Sequence, residues 1–166
     1  MAVMKVDWGP ASPLGSEARR LHLEQGGKAP FVVFDDADLE AAAHGAVAGA
    51  IINGGQDCTA ATRAYIQRPL FNAFTERVAE SMSLVVLGDP TRPETDLGSL
   101  ISLTHRDRVA GMVDRARAGG ASVLTGGVIP ECDGAYYPPT VVTGVSQDSE
   151  NCPGRDLRAC AHRPPF

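Results

Sequence analysis

Apolar and polar positions alternate in distinct periods along this chain, and the periods change at Gly, Pro and Asp clusters. Leu21 and Leu23 flank His22 in the two-residue period of a half-buried strand. Phe31-Val32-Val33-Phe34 is a continuous apolar run of strand formers and predicts a strand buried on both faces. Asp35-Asp36-Ala37-Asp38 then offers capping carboxylates to an alanine-rich helix (Ala41, Ala42, Ala43, Ala46, Ala48) reaching about Ile52. Asn53-Gly54-Gly55 stops it. Arg63 to Gln67 predicts another strand. Pro69 opens a helix from Leu70 to about Met82, with Phe71, Phe74 and Val78 at helical spacing.

Leu84 to Leu87 predicts a short strand, and Gly88-Asp89-Pro90 turns into a polar loop reaching Gly98. Thr104 is placed to cap a helix to about Ala118, with Val109, Met112, Val113 and Ala116 on one face. Gly119-Gly120 ends it. Ser122 to Leu124 and Thr140 to Val142 are further short strands. This alternation predicts an α/β domain with a largely parallel sheet flanked by helices. Residues 1 to 20 carry turn formers and no period, and residues 151 to 166 carry no hydrophobic period either.

Composition changes this picture little. The 166 residues suit one domain of ordinary size, and 43% hydrophobic with 21% charged residues is ordinary for a globular chain. A net charge of −5 without a basic stripe argues against nucleic acid. No apolar run reaches membrane-spanning length, and no secretion signal is visible, so a cytoplasmic location is expected. Cys58, Cys132, Cys152 and Cys160 match no CxxC metal pattern, and free thiols are expected. Asp35, Asp36 and Asp38 form a helix-start cluster rather than a metal site. Neither Gly26-Gly27 nor Gly54-Gly55 belongs to a phosphate-binding glycine pattern.

Two residues attract chemical interest. Cys58 follows a Gly-rich turn, and Thr59-Ala60-Ala61 can begin a helix whose N-terminus would favour a thiolate. The plainer alternative is a buried small hydrophobe. Glu24 stands at a strand end before the flexible Gly26-Gly27 pair, either as a general base or as a surface charge.

At these residues the chain resembles the aldehyde dehydrogenase family. Leu23-Glu24-Gln25-Gly26-Gly27-Lys28-Ala29-Pro30 is similar to its glutamate motif, and Asn53-Gly54-Gly55-Gln56-Asp57-Cys58 to its cysteine motif. Glu24 and Cys58 stand 34 positions apart, as in the family. Gly88-Asp89-Pro90, Gly98 to Ser102 and Tyr137 to Val141 follow in the family's order, so the resemblance covers about residues 20 to 150. Gln56-Asp57-Cys58-Thr59-Ala60 resembles the aminoaldehyde branch.

The resemblance implies a partial catalytic domain over residues 21 to 150, in a family that forms homo-oligomers. It implies that Cys58 attacks an aldehyde, that NAD or NADP takes the hydride, and that Glu24 activates water to release the acid from a thioester. The Cys58 N–H would form half of the oxyanion hole. Gln25 and Gly26 would lie near the nicotinamide, with Gln25 in place of the family's usual leucine.

The family's dinucleotide-binding portion and its oxyanion-hole asparagine have no counterpart here, so the chain is expected to be truncated and inactive. The alternatives are a non-catalytic remnant that associates with intact subunits, or a thiol hydrolase. A sheet cut from its partners is expected to associate or aggregate. Residues 151 to 166 are expected to be disordered and to come from a shifted reading frame. With codons chosen for Pro153 onward, reading one base later spells R-D-E-I-F-G-P-V-L-T, which contains the family's ribose-binding motif.

Overall fold

The structure is a computed structural model that describes residue 27, residues 29–145 and, as backbone, residues 160–162. Its elements follow the sequence periods: β1 (Pro30–Val33), α1 (Leu39–Ile51), β2 (Arg63–Ile66), α2 (Phe71–Ser83), α3 (Leu103–Ala118), β3 (Ser122–Thr125), β4 (Val141–Thr143) and β5 (Cys160–His162). The sheet order is β1-β2-β5-β4-β3. β1, β2, β5 and β4 run parallel, and β3 closes the sheet antiparallel to β4. The α/β architecture with a largely parallel sheet is therefore observed. The expected strand at Leu21–Leu23 lies outside the described residues.

Asp38 begins α1 as the carboxylates predict, its Oδ1 accepting from the Ala41 N–H at 2.9 Å. Ala43, Ala46, Val47 and Ala50 are buried along the helix. Their small side chains let α1 lie close to both α2 and the sheet. Val33 and Ile66, paired in register, meet this helix pair in one cluster with Phe74, Val78, Met82 and Val141. Val142 points the other way, toward Ala116 of α3, because successive strand residues face opposite sides. Helices thus cover both faces at the β4 side.

The structure corrects the reading at five places. β1 is not buried on both faces: Val32 is 53% and Phe34 59% exposed. β1 is the sheet's edge, and among the described residues only the α1–α2 side covers it. Leu84 to Leu87 is not a strand but a single bridge from Leu87 to Leu97. The Asp96 carboxylate and the Leu97 N–H bind the Val86 main chain instead, folding the segment onto its own loop. The cap of α3 is Ser102, not Thr104: Ser102 is extended, and its hydroxyl accepts from the His105 N–H at 3.1 Å.

No helix follows Cys58. Residues 57–59 form a turn that runs straight into β2. Finally, the tail is not without regular structure throughout, since Cys160–His162 form the strand between β2 and β4. Two neighbouring parallel strands present unpaired main-chain groups, and a third strand satisfies both rows at once.

Candidate active site

The cysteine turn is built by the end of α1. Asn53 (φ 48°), Gly54 (φ 65°) and Gly55 (φ 70°) are three successive left-handed residues, which reverse the chain as it leaves the helix. Asparagine and glycine are the residue types that adopt this conformation at least cost. The turn is then pinned on both sides. Before it, the Gln56 Oε1 accepts from the Ile101 N–H at 3.0 Å. After it, the Ala61 N–H donates to the Gly49 carbonyl of α1 at 2.9 Å.

Between these anchors the Asp57 Oδ1 accepts from the Thr59 N–H at 2.7 Å and from the Thr59 hydroxyl at 2.5 Å. The Thr59 hydroxyl first, and then its N–H, hold the Asp57 carboxyl below the usual range, against a small opposing effect of burial. This Asx turn takes the place of the expected helix start. Cys58, at its apex, is exposed and free. Its side chain is therefore not among the buried apolar residues of the described chain.

Glu24, Gln25 and Gly26 lie outside the described residues. Gly27 stands next to them and comes against the carbonyl of Cys58, so closely that a Cβ at residue 27 would overlap that oxygen. The glutamate motif therefore reaches the cysteine motif through a main-chain approach that only glycine permits. The nicotinamide cofactor that the resemblance implies would be held by Gln25 and Gly26. Among the described residues, no group of three or more His, Cys, Asp or Glu gathers to hold a metal. No helix among them is long and apolar enough to cross a membrane.

Sequence reasoning missed two features. Gln56 was visible only as part of a motif, and its bond to Ile101, 45 positions away, carried no local signal. A cavity of about 60 Å³ lies behind the turn, between the end of α1, α3 and the 137–140 segment. Gly54, Gly55, Leu100 and His105 line it, and Cys58 does not. It therefore backs the turn.

A sequence profile of the aldehyde dehydrogenase family matches residues 11–152, so the chain belongs to that family. The match extends at both ends the range of 20 to 150 read from the motifs.

Betaine aldehyde dehydrogenase of Sinorhizobium fredii is 39% identical over 141 residues, which are 83% of this chain and 29% of that protein. Succinate-semialdehyde dehydrogenase [NADP(+)] 1 of Mycobacterium ulcerans is 42% identical over 134 residues, 81% of this chain and 29% of that protein. Among solved structures, lactaldehyde dehydrogenase from Escherichia coli superposes with a TM-score of 0.80 at 39% identity, covering 87% of this chain and 30% of that one. Betaine aldehyde dehydrogenase from Staphylococcus aureus, in complex with NAD+, gives 0.80 at 30% identity over the same share of this chain and 29% of its own. The chain spans under a third of the length of these relatives.

Proposed function

We propose that this chain carries the nucleophile-and-base segment of an NAD(P)-dependent aldehyde dehydrogenase, which oxidises an aldehyde to a carboxylic acid. The observation that carries the reading is the packing of Gly27 against the Cys58 carbonyl. It supports a spatial meeting of the two motifs that the reaction needs together.

In this reading the Cys58 Sγ attacks the aldehyde carbon as thiolate, forming a C–S bond while the carbonyl oxygen takes the negative charge. The Cys58 N–H is offered to that oxygen as half of the oxyanion hole. NAD(P)+, when bound beside Gln25 and Gly26, supplies the hydride acceptor. Glu24 takes a proton from water, and the water attacks the acyl carbon to free Cys58 and the acid. The substrate class is a small aldehyde, of the aminoaldehyde kind by the wording of Gln56-Asp57-Cys58.

The test uses the chain alone and a chimera in which its residues 20–150 replace the matching segment of the Sinorhizobium betaine aldehyde dehydrogenase. NAD(P)H formation is followed with betaine aldehyde. The chain alone is expected to give none above background, because the relatives' remaining length is not supplied. The chimera is expected to turn over, and Cys58→Ala in it to fall to background. Turnover that survives Cys58→Ala overturns the assignment of the nucleophile.

A second reading, association with intact subunits without catalysis, is favoured by the exposed outer side of β1 at Val32 and Phe34. An inactive but soluble chimera, together with co-purification of the chain with the intact relative, would favour it instead.

We also propose that residues 151–166 are read from a shifted frame. In the back-translation that spells the ribose-binding motif, the codons of Cys160, Ala161 and His162 become those of Val-Leu-Thr. These three positions are the ones that form β5. Val and Thr are strong strand formers, and a central strand of a parallel sheet favours such residues. Resequencing the gene across codons 150–153 tests this. A one-base difference that opens the frame into E-I-F-G-P-V is expected, and a confirmed frame as printed overturns it.

A further inference from the structure

We infer that Gln56 is the positioning residue of the Cys58 turn, and that it acts by reading main-chain polarity on two sides through its amide. The inference rests on the reading of Cys58 as nucleophile. The Gln56 Oε1 accepts from the Ile101 N–H at 3.0 Å, and its Nε2 donates to the Asn53 carbonyl at 3.3 Å. The Asn53 Nδ2 donates in return to the Gln56 carbonyl at 3.2 Å, and the Gln56 N–H donates to the Asn53 carbonyl at 3.1 Å. The two residues that bracket Gly54 and Gly55 thus close a ring of hydrogen bonds over the left-handed reversal. One arm of that ring leaves it to hold a distant segment.

That distant segment is itself fixed. The Leu100 N–H donates to the Ala135 carbonyl at 2.9 Å, and Ser102 caps α3. Gln56 therefore ties the exposed turn to a place that the fold already holds. The polarity of the two contacts selects the side chain. A carboxylate accepts but cannot donate to the Asn53 carbonyl, and an ammonium donates but cannot accept from Ile101. An amide of this length does both. The amide also lies close over Gly54, where an added Cβ would stand 3.2 Å from the Gln56 Nε2.

The consequence reaches Cys58, two residues on. Its thiol is exposed, so no packing fixes its direction. Its orientation is inherited from the clamp before it, from the Asp57–Thr59 bonds across it and from the Ala61–Gly49 bond after it. Cys132, also exposed and free, lies in another loop and serves as an internal reference.

The experiment measures iodoacetamide alkylation of Cys58 and Cys132 in the intact chain between pH 6 and 10, assigned by peptide mass (about the span over which thiols titrate). Amide hydrogen exchange at Ile101 is read alongside. The variants are Gln56→Met, which loses both contacts, and Gln56→Glu, which keeps only the acceptor. In the parent, Cys58 is expected to be alkylated faster than Cys132. Gln56→Met is expected to move the Cys58 rate toward the Cys132 rate by at least about threefold to tenfold, the population shift that the loss of even one hydrogen bond allows. Cys132 stays unchanged, and exchange at Ile101 speeds up. Gln56→Glu should keep the Ile101 protection and show a partial change at Cys58.

An unchanged Cys58 profile in Gln56→Met overturns the inference. So does unchanged exchange at Ile101. If Cys58 is alkylated no faster than Cys132 in the parent, the nucleophile reading fails, while the exchange data still decide the clamp. Should Gln56→Met not fold, Gln56→Glu decides alone: it keeps the Ile101 contact and loses the donor to the Asn53 carbonyl, so an unchanged Cys58 rate in it overturns the inference.

Discussion

Gly27→Ala is expected to disable the cysteine site more than any other single methyl group added to this chain. The new Cβ would overlap the carbonyl oxygen of Cys58. Neither partner can yield as a flexible side chain would, because both are main chain. The Cys58 side is held by the Gln56–Ile101 and Ala61–Gly49 bonds, so the strand start at Pro30 and the cysteine turn must separate. An overpacking of this kind costs about 1–3 kcal/mol of stability. In the chimera, a displacement of the order of 1 Å between the proposed base and the proposed nucleophile is expected to lower turnover by about 100-fold. Urea unfolding and kcat measure the two effects. Activity and stability equal to the parent would show that residue 27 does not touch the turn.

Phe74→Ala is expected to be the most destabilising substitution in the core. Phe74 is 1% exposed and joins α2 to Val33, Ile66 and Val141 of the sheet. Truncating a buried phenylalanine costs about 3–5 kcal/mol. The site relaxes poorly, because Thr62, with a buried hydroxyl that has no hydrogen-bond partner, and Phe74 already line a small void of about 20 Å³. That cost is a large share of the roughly 5–15 kcal/mol that holds an ordinary domain together. The urea midpoint should fall accordingly with an unchanged slope. Leu84→Ala, at a residue 74% exposed, should stay within about 0.5 kcal/mol. A Phe74→Ala cost below about 1 kcal/mol would mean that this cluster is not a packed core.

Much of the fold was legible because its causes are local. Asp38 caps α1 through the residue three positions on, and the 3.6-residue spacing of Phe74 and Val78 sets the buried side of α2. Asn53-Gly54-Gly55 was read as a stop, and its left-handed backbone is what those residue types permit. The candidate site was legible in a different way. Cys58 was found through its motif, and the physical argument given for it, a helix start at Thr59, did not hold. Asp57 and Thr59 bond to each other across Cys58, and that pairing absorbs the groups a helix would have used.

What the sequence determined by itself is therefore the order and kind of most elements, the turn before Cys58 and the membership of a family that carries the same two motifs. These follow from forces acting within a few residues, or from spacing along the chain. Only the tertiary structure decided that Val32 and Phe34 stand exposed beside the buried Val33 and that Leu84 to Leu87 folds onto its own loop. It alone placed Cys160–His162 between β2 and β4, tied Gln56 to Ile101 and set Gly27 against the Cys58 carbonyl. Each of these depends on which distant segment satisfies a buried face or an unpaired main-chain group. A pattern of neighbours along the chain does not contain that information.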